Sequence, residues 1–184
     1  MKNTLITSSI ILVLGLVAIP LVWGDGNEYW KRFNRHSTGV AMVSSPVYKD
    51  ECGSCHMAYP PGLLPAESWG EIMSSLDDHF GDNAELDTSP HKEITDFLVA
   101  NSADKSDYRR SRRFASSNGS GEIITRITET PYFKHEHDEI PLRLVTGNKD
   151  VNSFSQCNAC HGKADLGLFR EGDISIPGYG RWDD

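Results

Sequence analysis

The sequence predicts a mainly α protein of two small domains that contain much irregular loop. Apolar residues recur at helical spacing in the stretches 67–80 and 130–140, and no stretch shows a long strand pattern. The same short cysteine motif occurs once in each half of the chain. Hydrophobic residues make up only 38% of the 184 residues, and the mean hydropathy is -0.42. We therefore expect apolar material from outside the chain to complete the core.

The N-terminal residues 1–24 have the pattern of an export signal. Lys2 supplies a positive charge, residues 10–23 are apolar apart from Gly15 and Pro20, and Gly24 follows at a plausible cleavage point. The alternative is an uncleaved anchor, because residues 5–23 are just long enough to span a bilayer. Under either interpretation we expect the chain in the periplasm, exported and either released or held at the inner membrane.

All four cysteines lie in two copies of one pattern, Cys52-Gly53-Ser54-Cys55-His56 and Cys157-Asn158-Ala159-Cys160-His161. The spacing i, i+3 puts both sulfurs of a copy on one side of a helical turn, where each can add to a haem vinyl group. The histidine that follows then faces the iron as its proximal ligand. The sequence therefore predicts two haem c groups, each with iron, attached through Cys52, Cys55, Cys157 and Cys160. His56 and His161 are the predicted proximal ligands.

Three other interpretations of the cysteine pairs are weaker. Two disulfides would suit an oxidising compartment, but they do not require a histidine after each pair. One zinc ion held by four thiolates conflicts with the long separation of the two pairs. A thioredoxin-like motif needs a βαβ context and would not occur twice.

The distal ligand of the first haem is expected at His79. The apolar residues of the stretch 67–80 recur at helical spacing: Trp69, Ile72, Met73, Leu76 and Phe80. His79 lies in line with Ile72 and Leu76, so it points inward. We expect Gly81 to end this helix in the left-handed conformation.

The distal ligand of the second haem is expected at His137. Its helix has Thr130 as N-cap and Pro131 at the first position, and it ends before Pro141. On this helix His137 shares the apolar face, whereas His135 shares a charged one. His135 is the alternative ligand.

The other histidines and methionines are weaker candidates for iron ligation. His91 falls in the first turn of another predicted helix, and His36 lies in a polar lead-in. Met73 belongs to an apolar face, and Met57 is too near its own attachment site to reach the distal side. We expect His56 to pair with His79 and His161 with His137, with crossed pairing left open.

This ligation predicts electron transfer rather than catalysis. Two neutral imidazoles stabilise ferric iron more than a His/Met pair does, which predicts low potentials. Filled coordination leaves no position for O2 or peroxide, so the chain is not predicted to be an enzyme. The alternatives are a dihaem enzyme or gas sensor with one open iron, and a cytochrome subunit of a respiratory or photosynthetic complex anchored by residues 5–23.

The composition divides the chain after the N-terminal segment into three parts. Residues 25–102 form a predicted first haem domain, and residues 122–184 form a second. Between them, residues 103–121 combine four arginines with a run of serine and glycine, which is typical of a charged linker. The predicted fold is therefore a small two-domain c-type cytochrome, mainly α, with one haem per domain.

The formal net charge of -8 limits the partners. An acidic chain disfavours nucleic acid and anionic lipid, and it favours a redox protein with a basic docking face. A membrane association is expected only if the N-terminal helix stays uncleaved.

Several segments together resemble the dihaem cytochrome c family of proteobacteria. These segments are Glu51-Cys52-Gly53-Ser54-Cys55-His56-Met57-Ala58-Tyr59-Pro60-Pro61, Asp78-His79-Phe80-Gly81, Glu136-His137 and Ile176-Pro177-Gly178-Tyr179-Gly180-Arg181-Trp182. The resemblance implies two domains with one bis-His haem each, and it supports His56, His79, His137 and His161 as ligands. It also implies electron exchange with a membrane cytochrome b or a small soluble haem protein.

Overall fold

The computed structural model describes residues 39–117, 119 and 123–182. The predicted export signal at residues 1–24 and the candidate His36 lie outside these residues. Within the described part, no helix is long and apolar enough to cross a membrane.

Three helices pack around a first core. They are α1 (Pro46–Cys52), α2 (Ala66–Ser74) and α3 (Thr88–Ala100). Helix α1 begins where the Ser45 side chain accepts a hydrogen bond from the Tyr48 N–H at 3.1 Å and Pro46 fixes the first turn. The buried members of the core are Val43, Tyr48, Leu64, Trp69, Ile72, Met73, Leu76, Ile94 and Leu98.

Helix α2 is shorter than the predicted stretch 67–80. It ends at Ser74, and a 3-10 turn at Leu76–Asp78 follows. The hydroxyls of Ser74 and Ser75 both donate to the Glu71 carbonyl at 2.9 Å, so they compete with the helical hydrogen bonds at this end. We had expected Gly81 to end α2, but the helix has already ended at Ser74. Gly81, at φ +105°, lies in a later turn together with Phe80, at φ +60°.

Two more helices enclose a second core. They are α4 (Arg109–Ser117) and α5 (Pro131–His137), and they pack against each other. Thr130 caps α5 as expected, because its hydroxyl accepts from the Phe133 N–H at 3.3 Å. The helix ends at His137, earlier than the predicted 140. The buried members of this core are Val40, Leu63, Ala103, Phe114, Tyr132 and Phe133.

Part of the predicted linker at residues 103–121 is packed structure. A 3-10 turn at Ala103–Lys105 precedes α4, and Ala103, Ser111 and Phe114 are buried. The four arginines had suggested a solvent-exposed segment. Ser111 and Phe114 are three residues apart, so they lie on the same side of α4 and give the helix a buried face. The division into two haem domains stays a prediction.

The C-terminal part adds a short helix and a hairpin. Helix α6 (Cys157–Cys160) is followed by β1 (Ser175–Ile176) and β2 (Gly180–Arg181), in which Ser175 pairs with Arg181 in antiparallel register. This part also contacts the start of the described chain, since the Val40 N–H donates to the Gly167 carbonyl at 2.9 Å. A Cβ at Gly167 would lie 2.4 Å from the Val40 oxygen, so glycine is required there. Long irregular segments between short helices confirm the mainly α prediction.

Candidate haem sites

The first attachment motif starts at the end of a helix. Cys52 is the last residue of α1, and Cys55 and His56 follow in the next turn. Burial, and next the charge of Glu51, raise the pKa of the unattached Cys52 thiol to about 11. None of the four cysteines forms a disulfide, which excludes the disulfide interpretation for this structure.

His79 lies opposite His56. The two ring centroids are 6.3 Å apart, and the ring planes are inclined by 22°. The position of His79 is fixed by a tight turn in which its N–H donates to the Asp82 carbonyl at 2.7 Å and its carbonyl accepts from the Asp82 N–H at 3.3 Å. The sequence predicted this approach from a continuous helix, but the turn after α2 produces it.

A backbone hydrogen bond and an aromatic ring orient His56. Its Nδ1 lies 2.8 Å from the Met57 carbonyl, so this nitrogen carries the proton and donates. Tyr59 stacks on the imidazole with centroids 4.7 Å apart and planes inclined by 20°. Nε2 is therefore the nitrogen available for a metal.

The side of His79 is covered by Phe80 and Arg126. The Phe80 ring lies 4.8 Å from the imidazole, and the Arg126 guanidinium lies 4.0 Å above the Phe80 ring. Burial, then the charges of His56 and Arg126, lower the pKa of His79. The ring is thus held neutral, the form in which histidine binds metals.

The second attachment motif lies on α6. His161 follows the helix directly, and its N–H donates to the Cys157 carbonyl at 2.8 Å. A bridge to Ile174 holds the backbone of His161 on the other side. Burial raises the pKa of Cys157 to about 11.

His137 lies opposite His161 in this second site. Their centroids are 6.2 Å apart, but the planes are inclined by 76°. His137 Nδ1 lies 2.9 Å from the Phe133 carbonyl, which again leaves Nε2 for a metal. Burial, then the charges of His137 and Arg110, lower the pKa of His161 to about 4.

A cavity of about 450 Å³ adjoins the second pair. It has both attachment cysteines and both histidines in its wall, together with Phe133, Phe154, Phe169 and Ile176. Arg110 also reaches this wall, where its guanidinium donates to the Tyr132 hydroxyl at 3.2 Å, to Glu136 at 3.1 Å and to the Phe169 carbonyl at 3.1 Å. The walls combine apolar and aromatic side chains with charged groups such as Arg110 and Glu136.

The two pairs fit an iron porphyrin. Imidazole nitrogens bind transition metals at about 2.0–2.1 Å, so two imidazoles on opposite sides of one iron have centroids roughly 6.3 Å apart. Both observed separations match. In the described ranges no group of three or more His, Cys, Asp or Glu side chains could hold a metal ion, which disagrees with a four-thiolate zinc site. A porphyrin supplies four nitrogen ligands to its iron, so the protein has to supply only two, and each site offers two imidazoles.

The structure also places the weaker candidates. His91 Nε2 lies 2.8 Å from the Met73 carbonyl, and Met73 is buried in the first core. His135 is exposed on α5, although it reaches the wall of the second cavity. Tyr59 and Arg110 are site residues that the sequence reasoning did not single out. The only feature of the sequence that could have indicated a role for Tyr59 is its position three residues after His56.

Comparisons with known proteins point to one family. A family model described as dihaem cytochrome c matches residues 48–169. The chain is similar to the structure of a dihaem cytochrome type c from Shewanella baltica OS155, with 44% identity over 75% of this chain and 97% of that one and a TM-score of 0.63. It is also similar to a dihaem cytochrome c from Rhodobacter sphaeroides, with 41% identity over 71% of this chain and 100% of that one and a TM-score of 0.63. A search of curated proteins finds no match.

Proposed function

Because this chain belongs to the dihaem cytochrome c family, we propose that it is a periplasmic, low-potential electron carrier whose two haem irons each lie between two histidines. The family membership confirms the predicted resemblance and the two haem c groups with iron, and it makes the chain a haem electron-transfer protein. The ligation, the potential, the compartment and the partners belong to the proposal.

The observation that carries the proposal is the pair of imidazole separations. At 6.3 and 6.2 Å, both pairs are spaced for one iron between two Nε2 atoms. When bound, haem iron carries one electron by changing between its ferric and ferrous states. The protein orients one imidazole of each pair through a hydrogen bond from Nδ1 to a backbone carbonyl, at His56 and at His137.

Two features support a carrier in preference to an enzyme. Histidine on both sides of each iron leaves no position for a substrate, and two imidazoles favour the ferric state more than a histidine and a methionine do. The methionine of the first core, Met73, is buried with Trp69 and Ile72, as expected of a core residue. We therefore propose His79 and His137 as the distal ligands.

The partners follow from charge. The net charge of -8 suits a redox partner with a basic docking face, such as a membrane cytochrome b or a small soluble haem protein. The N-terminal segment supports export to the periplasm. The acidic net charge of the chain argues against nucleic acid as a partner.

Low-temperature EPR and carbon monoxide titration of the purified ferric and ferrous holoprotein test the proposal. We expect two low-spin ferric signals, one per haem, and no CO binding by the native ferrous protein. A high-spin signal or CO binding at one haem would instead indicate an open iron, as in a dihaem enzyme or gas sensor. N-terminal sequencing of the mature protein tests export, with a start at Asp25 expected.

A further inference from the structure

Tyr59 lies at the boundary between the two cores. It is half-buried and packs against the cluster around Trp69 and also against the cluster around Phe133. It belongs to neither attachment motif. A residue in this position can link the two sites physically.

The ring of Tyr59 contacts the first site. It stacks on the His56 imidazole with centroids 4.7 Å apart and planes inclined by 20°. The Nδ1 hydrogen bond of His56 fixes one edge of the imidazole, and a stacked ring opposes rotation about the remaining bond. The small angle of 22° between His56 and His79 thus depends on Tyr59.

The hydroxyl of Tyr59 contacts the second site. It donates to the Ser155 carbonyl at 2.8 Å, across 96 positions of sequence. Ser155 lies two residues before Cys157, the first attachment cysteine of the second motif. A backbone carbonyl can only accept, so the Tyr59 hydroxyl is the donor in this contact.

The backbone of Tyr59 is itself held in place. Its carbonyl accepts a hydrogen bond from the Tyr48 hydroxyl at 2.9 Å, and Tyr48 is buried in the first core. The following residues, Pro60 and Pro61, are also buried and restrict the chain. Tyr59 is therefore attached to the rigid first core while it reaches toward the second site.

We propose that Tyr59 is a positioning residue for both haem sites: its ring sets the plane of the His56 imidazole, and its hydroxyl holds the segment that precedes Cys157. The first part rests on the proposed ligation by His56. The second part is independent of ligation, because it concerns a hydrogen bond between two segments of the chain.

Two substitutions separate the two roles. Tyr59→Phe keeps the ring and removes the hydroxyl, whereas Tyr59→Leu removes both. Tyr179→Phe is a matched control, because it removes the hydroxyl of another tyrosine, one that is exposed near the C-terminal hairpin. All three are studied as holoproteins with both haems attached.

EPR tests the role of the ring. In Tyr59→Leu the signal of the first haem should change its g-value anisotropy, because the hydrogen bond to the Met57 carbonyl alone then opposes rotation of His56, while Tyr59→Phe keeps the wild-type signal. A wild-type first signal in Tyr59→Leu would overturn this role. If wild-type protein itself shows a high-spin first haem, the proposed ligation fails, and that result is distinct from a difference between variants.

Native-state hydrogen exchange tests the role of the hydroxyl. In Tyr59→Phe the amides of Ser155 and Gln156 should exchange about fivefold faster than in wild type, as expected for the loss of one typical hydrogen bond. Tyr179→Phe should not accelerate these two amides relative to the rest of the chain. Equal exchange at Ser155 and Gln156 in Tyr59→Phe and wild type would overturn this role.

Discussion

The imidazole rings of His137 and His161 face each other with centroids 6.2 Å apart and planes inclined by 76°. The rings of His56 and His79 have nearly the same separation but an inclination of only 22°. Two sites with the same types of proposed ligand therefore differ in orientation. Axial ligands tune the electronic state of haem iron, and the relative orientation of two imidazole planes is part of that effect.

We predict two different low-spin EPR signals from the ferric protein. Near-parallel imidazole planes give a rhombic signal, so this signal belongs to the site of His56 and His79. Near-perpendicular planes give a strongly anisotropic signal with a large maximum g-value, and this one belongs to the site of His137 and His161. Two superimposable signals would contradict the orientations described here.

Replacing His79 should open the first iron only. In His79→Ala we expect one haem to become high-spin and to bind carbon monoxide, because His79 is the imidazole that faces His56 among the described residues. The signal of the second haem should not change. Optical and EPR spectra of the ferric and CO-treated ferrous variant measure both effects.

His91→Ala is the control for that variant. His91 Nε2 contacts the Met73 carbonyl at 2.8 Å, so its loss should lower the free energy of unfolding by about 1 kcal/mol without changing either haem spectrum. Denaturant unfolding and optical spectra check this pair of expectations. A high-spin haem in His91→Ala would mean that His91 serves as a ligand.

Replacing His137 by methionine should raise the potential of the second haem. A thioether on the distal side favours the ferrous state, and the shift should be on the order of 0.1 V. His135→Gln should leave both potentials unchanged, because His135 is exposed on α5. Redox titration followed optically distinguishes them, and the opposite pattern would identify His135 as the ligand.

Arg110 should raise the potential of the second haem through its charge. Its guanidinium is held among Tyr132, Glu136 and the Phe169 carbonyl beside the cavity, and a positive charge near iron favours the ferrous state. In Arg110→Gln we expect this potential to fall by roughly 50 mV. Arg110→Lys keeps the charge and should retain most of the wild-type value in the same titration. Equal potentials in all three proteins would show that this charge has no influence.

Asp104 should stabilise the start of α2. The helix has no side-chain cap of its own, and the Asp104 carboxylate accepts from the Ala66 N–H at 2.8 Å. Asp104→Ala should therefore lower the free energy of unfolding by about 1 kcal/mol at pH 7. Asp150→Ala, at an exposed loop position, should have little effect in the same denaturant experiment.

This contribution of Asp104 should depend on pH. Although burial by itself raises the pKa of Asp104, hydrogen bonds with Ser102 and Ala66 outweigh it and lower the pKa below the ordinary value. A carboxyl group whose pKa is lower in the folded state stabilises the fold above its unfolded pKa, and the effect is lost as pH falls through the folded pKa. The difference between wild type and Asp104→Ala should shrink in acid, and a constant difference would contradict this origin.

The helices were predicted with unequal success, for identifiable reasons. Thr130 and Pro131 define the start of α5 because a capping hydroxyl and a fixed φ act within one turn. The predicted end of α2 was wrong. The apolar periodicity continues through Leu76, but the hydroxyls of Ser74 and Ser75 donate to the Glu71 carbonyl and the helix ends there. Helix α4 lies in the stretch that was predicted to be a linker. Its four arginines indicated a charged surface segment, and the burial of Ser111 and Phe114 was not apparent from the sequence.

The sequence by itself determined the attachment chemistry of this protein. Cysteine and histidine spacing within one turn is local information, so two haem c groups could be predicted from order alone, with Cys52, Cys55 and His56, and likewise Cys157, Cys160 and His161, as the predicted residues that hold them. Only the tertiary structure decided which histidine lies opposite which, at what inclination, and how the two sites are connected. His79 reaches His56 through a turn after α2, and Tyr59 reaches Ser155 across 96 positions. Such contacts depend on how whole segments pack against each other, and no local pattern in the chain encodes that packing.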